Sequence, residues 1–212
     1  MPQGLGLYPD LTVAENLAFV AGLYAAAVPT LDDALKPALK PARDRLVGSI
    51  GLGLQRRLAF TCALLHSPEV LVLDEPTSGV GALARAQLWD AIHEQAAKGV
   101  GVLVTTHYMQ EAQQCDRMLL MSAGRLVAAG SEADLVGNTR AVAVITDDWA
   151  QAFAALEESG LVVTLAGRNV RVAGVETDRV ASALREHGIE ARVEAVPATI
   201  EERMTVLSRE LG

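Results

Sequence analysis

The chain has 212 residues, half of them apolar, so it can bury a core, and general disorder is excluded. Lysine and arginine number 18 against 26 aspartates and glutamates, a formal charge of −8 that divides equally between residues 1–139 and the remainder. Neither part is a basic platform for nucleic acid.

The longest uncharged run, residues 16–31, is 16 residues long and contains Pro29, short of the roughly 20 apolar residues that span a bilayer. No transmembrane helix is therefore expected. The first basic residue is Lys36, so a charged segment ahead of an apolar secretory signal is not expected either, and the expected compartment is the cytoplasm. Cys62 and Cys115 lie far apart without CxxC spacing and read as free structural thiols.

In chain order, Asp10, Glu15 and Asn16 open a helix that runs to Tyr24, with no strand evident in the first 50 residues. A second helix covers residues 54–66, with Leu54, Leu58, Thr61 and Leu65 in register and Pro68 beyond its end. Residues 70–75, VLVLDE, are an apolar run without alternation, the pattern of a strand buried on both faces of a parallel sheet. Residues 100–107 repeat that pattern. Between the two strands, residues 83–98 are helical, with Ala84, Leu88, Ala91, Ile92 and Gln95 on one face and Gly99 as a stop. Strand, helix and strand together predict a parallel, doubly wound sheet. Residues 117–122 and 125–129 flank Ala123-Gly124, a hairpin expected at the sheet edge.

From Arg140 the pattern changes to strand (141–146), helix (148–159), two strands turning at 167–169, helix (177–187), strand (189–196) and a last helix. This βαββαβ order predicts a small ferredoxin-like domain with a tail. Val142, Val144, Phe153, Leu156, Val163, Val170, Val172, Val180, Leu184 and Val193 are spaced to fill its core, and no catalytic constellation is visible among its dispersed charges.

Asp74 and Glu75 close the first buried strand, at the carboxyl edge where open α/β sheets bind ligands. Adjacent carboxylates point to opposite sides there. One can hold Mg2+ while the other accepts a proton from an attacking water, as phosphoryl transfer requires. His107 ends the neighbouring strand, so its imidazole emerges on the same edge, where it can donate to a phosphate oxygen or orient the water.

In these residues the chain resembles the ATP-binding subunit of ABC transporters of the drug-export type. Residues 70–75 resemble the Walker B motif, 76–82 the loop after it, His107 the switch histidine and residues 1–3, Met-Pro-Gln, the Q-loop. Ser78-Gly79 and residues 109–117, MQEAQQCDR, also read as in that family, and the likeness runs from residue 1 to about 135. The signature LSGGQ aligns with residues 50–54, IGLGL, at a helix start suited to a partner's phosphate.

The resemblance implies a partial ABC ATPase core over residues 1–139, a parallel sheet with a helical subdomain at about 8–50 and the signature-to-switch region at 50–117. A ferredoxin-like α+β accessory domain follows at 140–212. It also implies roles. Glu75 and His107 are the catalytic candidates; Gln3, Gly51, Gly53 and Ser78 would contact ATP; Asp74 and Gln3 would hold Mg2+. The implied partners are a transmembrane permease and a second ATP-binding subunit, identical or not, placing the chain at the inner face of the membrane.

Three departures stand against the family pattern. GxxxxGK[ST], which supplies backbone N–H groups, a lysine and a magnesium-binding hydroxyl, occurs nowhere in the chain, so the 212 residues alone are expected to bind Mg-ATP weakly and to be inactive. The signature has Gly51 and Leu52 where the family has serine and glycine, and Gly81 stands where an aspartate is usual. The rival expectation is therefore a noncatalytic module that docks on a transporter or a competent ATPase without turning over ATP.

Overall fold

The computed structural model describes residues 1–24 and 39–210; the part of the expected helical subdomain at 25–38 lies outside the described residues. Contacts gather the chain into two compact units, Met1–His107 and Tyr108–Gly212.

In the first unit, α1 (Val13–Leu23) is capped by Thr12, whose hydroxyl accepts the Glu15 N–H while the Glu15 carboxylate accepts the Thr12 N–H. Asn16 lies one turn inside the helix, buried, where its amide binds the main chain of Tyr8, Leu11 and Thr12 and ties down the preceding loop. Val13 and Leu17 of α1 pack with Leu39, Ala42, Val47 and Ile50 against Leu58 and Cys62 of α2 (Leu52–Leu64).

The strands β1 (Val70–Asp74) and β2 (Gly101–Thr105) pair in parallel, with α3 (Ala82–Ala97) between them in sequence. The Met1 amino group donates to Val72 O at 2.6 Å and Asp74 N–H to Met1 O at 2.9 Å, one further parallel bridge on the outer edge of β1.

Three expectations are corrected here. β1 is buried on one face only: Leu71 and Leu73 are covered, whereas Val70 and Val72 are more than half exposed, with Leu103 of β2 half exposed beside them. An apolar run says that both faces tolerate apolar cover; which face receives it depends on the layers present. The helix α2 begins at Leu52, two residues earlier than its apolar periodicity suggests, because Gly51 takes the extended cap conformation and its carbonyl accepts the N–H groups of Leu54 and Gln55. Trp89, absent from the expected face of α3, is buried with Leu88, Ala91 and Ile92.

The second unit begins with α4 (Met109–Ala112) and the antiparallel hairpin β3 (Met118–Ser122) and β4 (Arg125–Gly130), followed by α5 (Glu132–Val136). The hairpin is a separate two-stranded sheet instead of an edge of the parallel one. Met118 and Leu135 share an apolar cluster with Ile200, which opens α8 (Ile200–Glu210), so the compact units part at 107/108, ahead of the 139/140 division that the sequence pattern suggests.

The rest of this unit is β5 (Arg140–Ile145), α6 (Trp149–Glu158), β6 (Val162–Ala166), β7 (Asn169–Ala173), α7 (Thr177–Glu186) and β8 (Arg192–Pro197). The four strands make one antiparallel sheet in the order β6-β7-β5-β8, a split βαβ arrangement. Val142, Val144, Leu156, Val170, Val172, Val180 and Leu184 are buried in its core, with Phe153, Val163 and Val193 packed against them.

Candidate functional site

The site is built at the carboxyl end of β1, where parallel pairing sets Asp74 opposite Thr105. The Thr105 hydroxyl donates to Asp74 Oδ1 at 2.5 Å, and the Glu75 N–H donates to both Thr105 Oγ1 and Thr105 O at 3.1 Å. These bonds hold Glu75 at φ +41°, a left-handed conformation that a side chain with a Cβ rarely adopts and that costs of order 1 kcal/mol. The chain turns sharply there, with Ser78 N–H donating back to Glu75 O at 3.2 Å.

Glu75 is the hub. Its Oε2 accepts from Gln3 Nε2 at 3.2 Å, and its Oε1 lies 3.0 Å from His107 Nδ1. A carboxylate only accepts, so the imidazole proton of this bond sits on Nδ1. The Glu75 side chain is 27% exposed and that of His107 56%, so the carboxylate is the more sheltered partner. Gln3, the adjacent Asp74 and Glu75, and His107, from three separate stretches of sequence, thus meet at one strand end.

Ser78 enters through its backbone. Its carbonyl accepts from Arg56 Nη2 at 3.0 Å, while Arg56 Nη1 donates to Gln3 O at 3.2 Å. Burial holds the Arg56 guanidinium below its usual pKa, and the attraction of Glu75 pulls the other way. Arg56 and Thr105 are the two site residues that sequence reasoning missed. Thr105 lies within the strand expected at 100–107, and its opposition to Asp74 follows once the parallel register is set.

Gly51 and Gly53 form a second locus at the start of α2. Gln55 Nε2 donates to Val47 O (3.1 Å) and Ile50 O (2.9 Å), fastening the loop that leads in. A Cβ on Gly53 would lie 3.1 Å from Ala84 Cβ, so glycine there lets α2 and α3 approach closely; a Cβ on Gly51 would meet open space. Leu52 is 39% exposed and its Cδ2 would lie 3.0 Å from a Cβ on Gly79, which has φ +76°.

The oxygen donors of Asp74, Glu75 and Gln3 suit a hard cation. Among the described residues no group of three or more His, Cys, Asp or Glu side chains could hold a metal ion. A cation here would complete its shell with water and phosphate, the habit of Mg2+. Both thiols stand outside the site: burial pushes Cys62 up to about 12 and, with Asp116 and Glu111, raises Cys115 as well.

Residues 1–78 match the family described as ABC transporter. The chain is 41% identical over 140 residues to the probable multidrug ABC transporter ATP-binding protein YbhF of Escherichia coli K12, covering 64% of this chain and 24% of that one. It is 37% identical over 142 residues to the Nod factor export ATP-binding protein I of Burkholderia lata, covering 64% and 47%. The chain therefore spans about a quarter to a half of the length of these curated relatives. Its fold matches the solved ATP-binding subunit of an ABC transporter (29% identity, TM-score 0.53, 61% of this chain and 56% of that one). It also matches a dimeric ATP-binding cassette in a post-hydrolysis state with ADP and Pi (22%, TM-score 0.54, 61% and 60%), a likeness of fold. The fold is thus α/β of the ABC ATPase kind, and among the described residues no helix is long and apolar enough to cross a membrane.

Proposed function

We propose that this chain supplies the hydrolytic carboxylate site of an ABC-type ATPase that drives export through a transmembrane permease, working with a second ATP-binding subunit at the inner face of the membrane. By the family pattern residues 1–139 are the cassette part and 140–212 an accessory domain, a division that falls inside the second compact unit. The observation that carries the reading is the convergence of Gln3 and His107 on the two carboxylate oxygens of Glu75, next to Asp74.

Asp74, with the side-chain amide oxygen of Gln3, would hold Mg2+, which when bound would neutralise charge on the phosphate oxygens of ATP. Glu75 takes the proton from the attacking water at a carboxylate oxygen. Water reaches that oxygen when one of its two contacts opens, and His107, the more exposed side chain, is the one that swings. Freed from Glu75, its Nδ1–H is a donor for the terminal phosphate. Gln3 reports the state of Glu75 to the segment that follows it, residues 4–12, which leads into α1. Gly51, Gly53 and the N–H groups at the start of α2 face the nucleotide of the second subunit, and Ser78 adds a contact from the loop after β1.

The test is phosphate release from the 212-residue chain fused behind a segment that carries a GxxxxGK[ST] loop. Mg2+-dependent release that disappears with Asp74→Asn supports the reading. Release that is unaffected by Asp74→Asn refutes it.

A further inference from the structure

Arg56 is 6% exposed, yet its guanidinium has no carboxylate at hydrogen-bonding distance among the described residues, and its Nε has no partner. A buried guanidinium is costly unless its donors are used with purpose. Here the two Nη groups go to two backbone carbonyls, Gln3 O and Ser78 O, from segments 53 and 22 residues away in sequence. Gln3 and Ser78 both also touch Glu75, one through its side-chain amide and the other through its N–H on the Glu75 carbonyl. A fork on α2 thus binds two chain segments that both hold Glu75, one at its carboxylate and the other at its main-chain carbonyl.

We propose that Arg56 is a positioning residue for Glu75: its guanidinium holds the Gln3 segment against the loop after β1, and without that clamp the Gln3 amide leaves the carboxylate. The planar fork is required, because it reaches both carbonyls in fixed directions while a lysine ammonium on a flexible stem does not pre-set two. The positive charge adds a second effect by attracting Glu75 into the same corner. The proposal deepens the reading given above and rests on it for the catalytic meaning of Glu75.

Its test needs no nucleotide. In the full 212-residue chain, the NMR signals of the Gln3 side-chain amide are compared between wild type and Glu75→Ala, and the difference marks the Gln3–Glu75 contact. Arg56→Lys keeps the charge, and Arg56→Met keeps the bulk without it. The expected result is that both variants lose the Gln3 signature and exchange the amide hydrogens of residues 3–6 at least tenfold faster, while the signals of β1, β2 and the second unit stay in place. If Arg56→Met fails to fold, Arg56→Lys decides alone. A retained signature in Arg56→Lys overturns the clamp, as does the absence of any difference between wild type and Glu75→Ala. Failure of the ATPase reading shows as phosphate release indifferent to Asp74, which leaves these signals untouched, so the two can fail separately.

Discussion

Thr105 Oγ1 lies 2.5 Å from Asp74 Oδ1 and receives the Glu75 N–H at 3.1 Å, so one hydroxyl orients both consecutive acidic residues. A hydroxyl that donates to a charged carboxylate while accepting an N–H fixes the peptide between Asp74 and Glu75 in the left-handed turn. Thr105→Val keeps shape and loses both bonds. It is expected to lower unfolding stability by about 1 kcal/mol, near the net value of a hydrogen bond, and Thr105→Ser is expected to restore most of it. Denaturant midpoints for the three proteins check this.

The start of α2 makes a second prediction. Gly51 has φ −65° and open space around its missing Cβ, so a serine fits without backbone strain. Gly51→Ser together with Leu52→Gly is expected to strengthen ATP-dependent dimerisation of the fused protein roughly tenfold, since one hydrogen bond to a charged phosphate is worth about 1.5 to 3 kcal/mol. Sedimentation with ATP in a Glu75→Gln background measures it. An unchanged dimer would mean that residues 50–54 already work as they stand.

The site was partly legible before the fold. Asp74, Glu75 and His107 announce themselves because two apolar strand patterns end in chemistry, and parallel pairing puts such ends on one edge. Arg56 was not legible. It sits in QRR after the signature, where adjacent arginines look alike, and only the packing of α2 sends Arg56 inward while Arg57 binds the side chain of Gln87. The exposed faces of Val70 and Val72 were hidden for a related reason, since cover comes from other layers. In the second unit the βαββαβ order was readable from periodicity, because Gly160, Gly167, Gly174 and Gly188 punctuate the run from α6 to β8. The attachment of the hairpin to α8 through Ile200 was not, as it is a long-range contact without a local signal.

The second unit carries a buried strut with a pH dependence. Glu202 accepts from Arg171 Nε (2.6 Å), Arg171 Nη2 (3.1 Å) and Thr199 N–H (2.7 Å), with the Thr164 hydroxyl at 3.4 Å. Burial pushes its carboxyl up, but the Arg171 and Thr199 bonds outweigh it and hold the pKa below its ordinary 4.5. The folded state therefore binds this proton less tightly than the unfolded one. Its contribution to stability is fully present above about pH 4.5 and is lost as pH falls through the lowered value. Glu202→Gln leaves Arg171 without its counter-charge and is expected to cost about 3 kcal/mol at pH 7. Thermal unfolding of both proteins between pH 7 and pH 3 should show the gap narrowing on the acid side.

The most direct measurement of the central claim pairs nucleotide binding with phosphate release in Glu75→Gln of the fused protein. The substitution keeps the shape of the side chain and removes the proton acceptor, leaving Asp74 and Thr105 in place. The expected result is Mg-ATP binding within about threefold of wild type and phosphate release slowed at least a hundredfold, the span attributed to a general base. Phosphate release at the wild-type rate in Glu75→Gln would contradict the account, because water would then be activated by some other group than the one on which Gln3 and His107 converge.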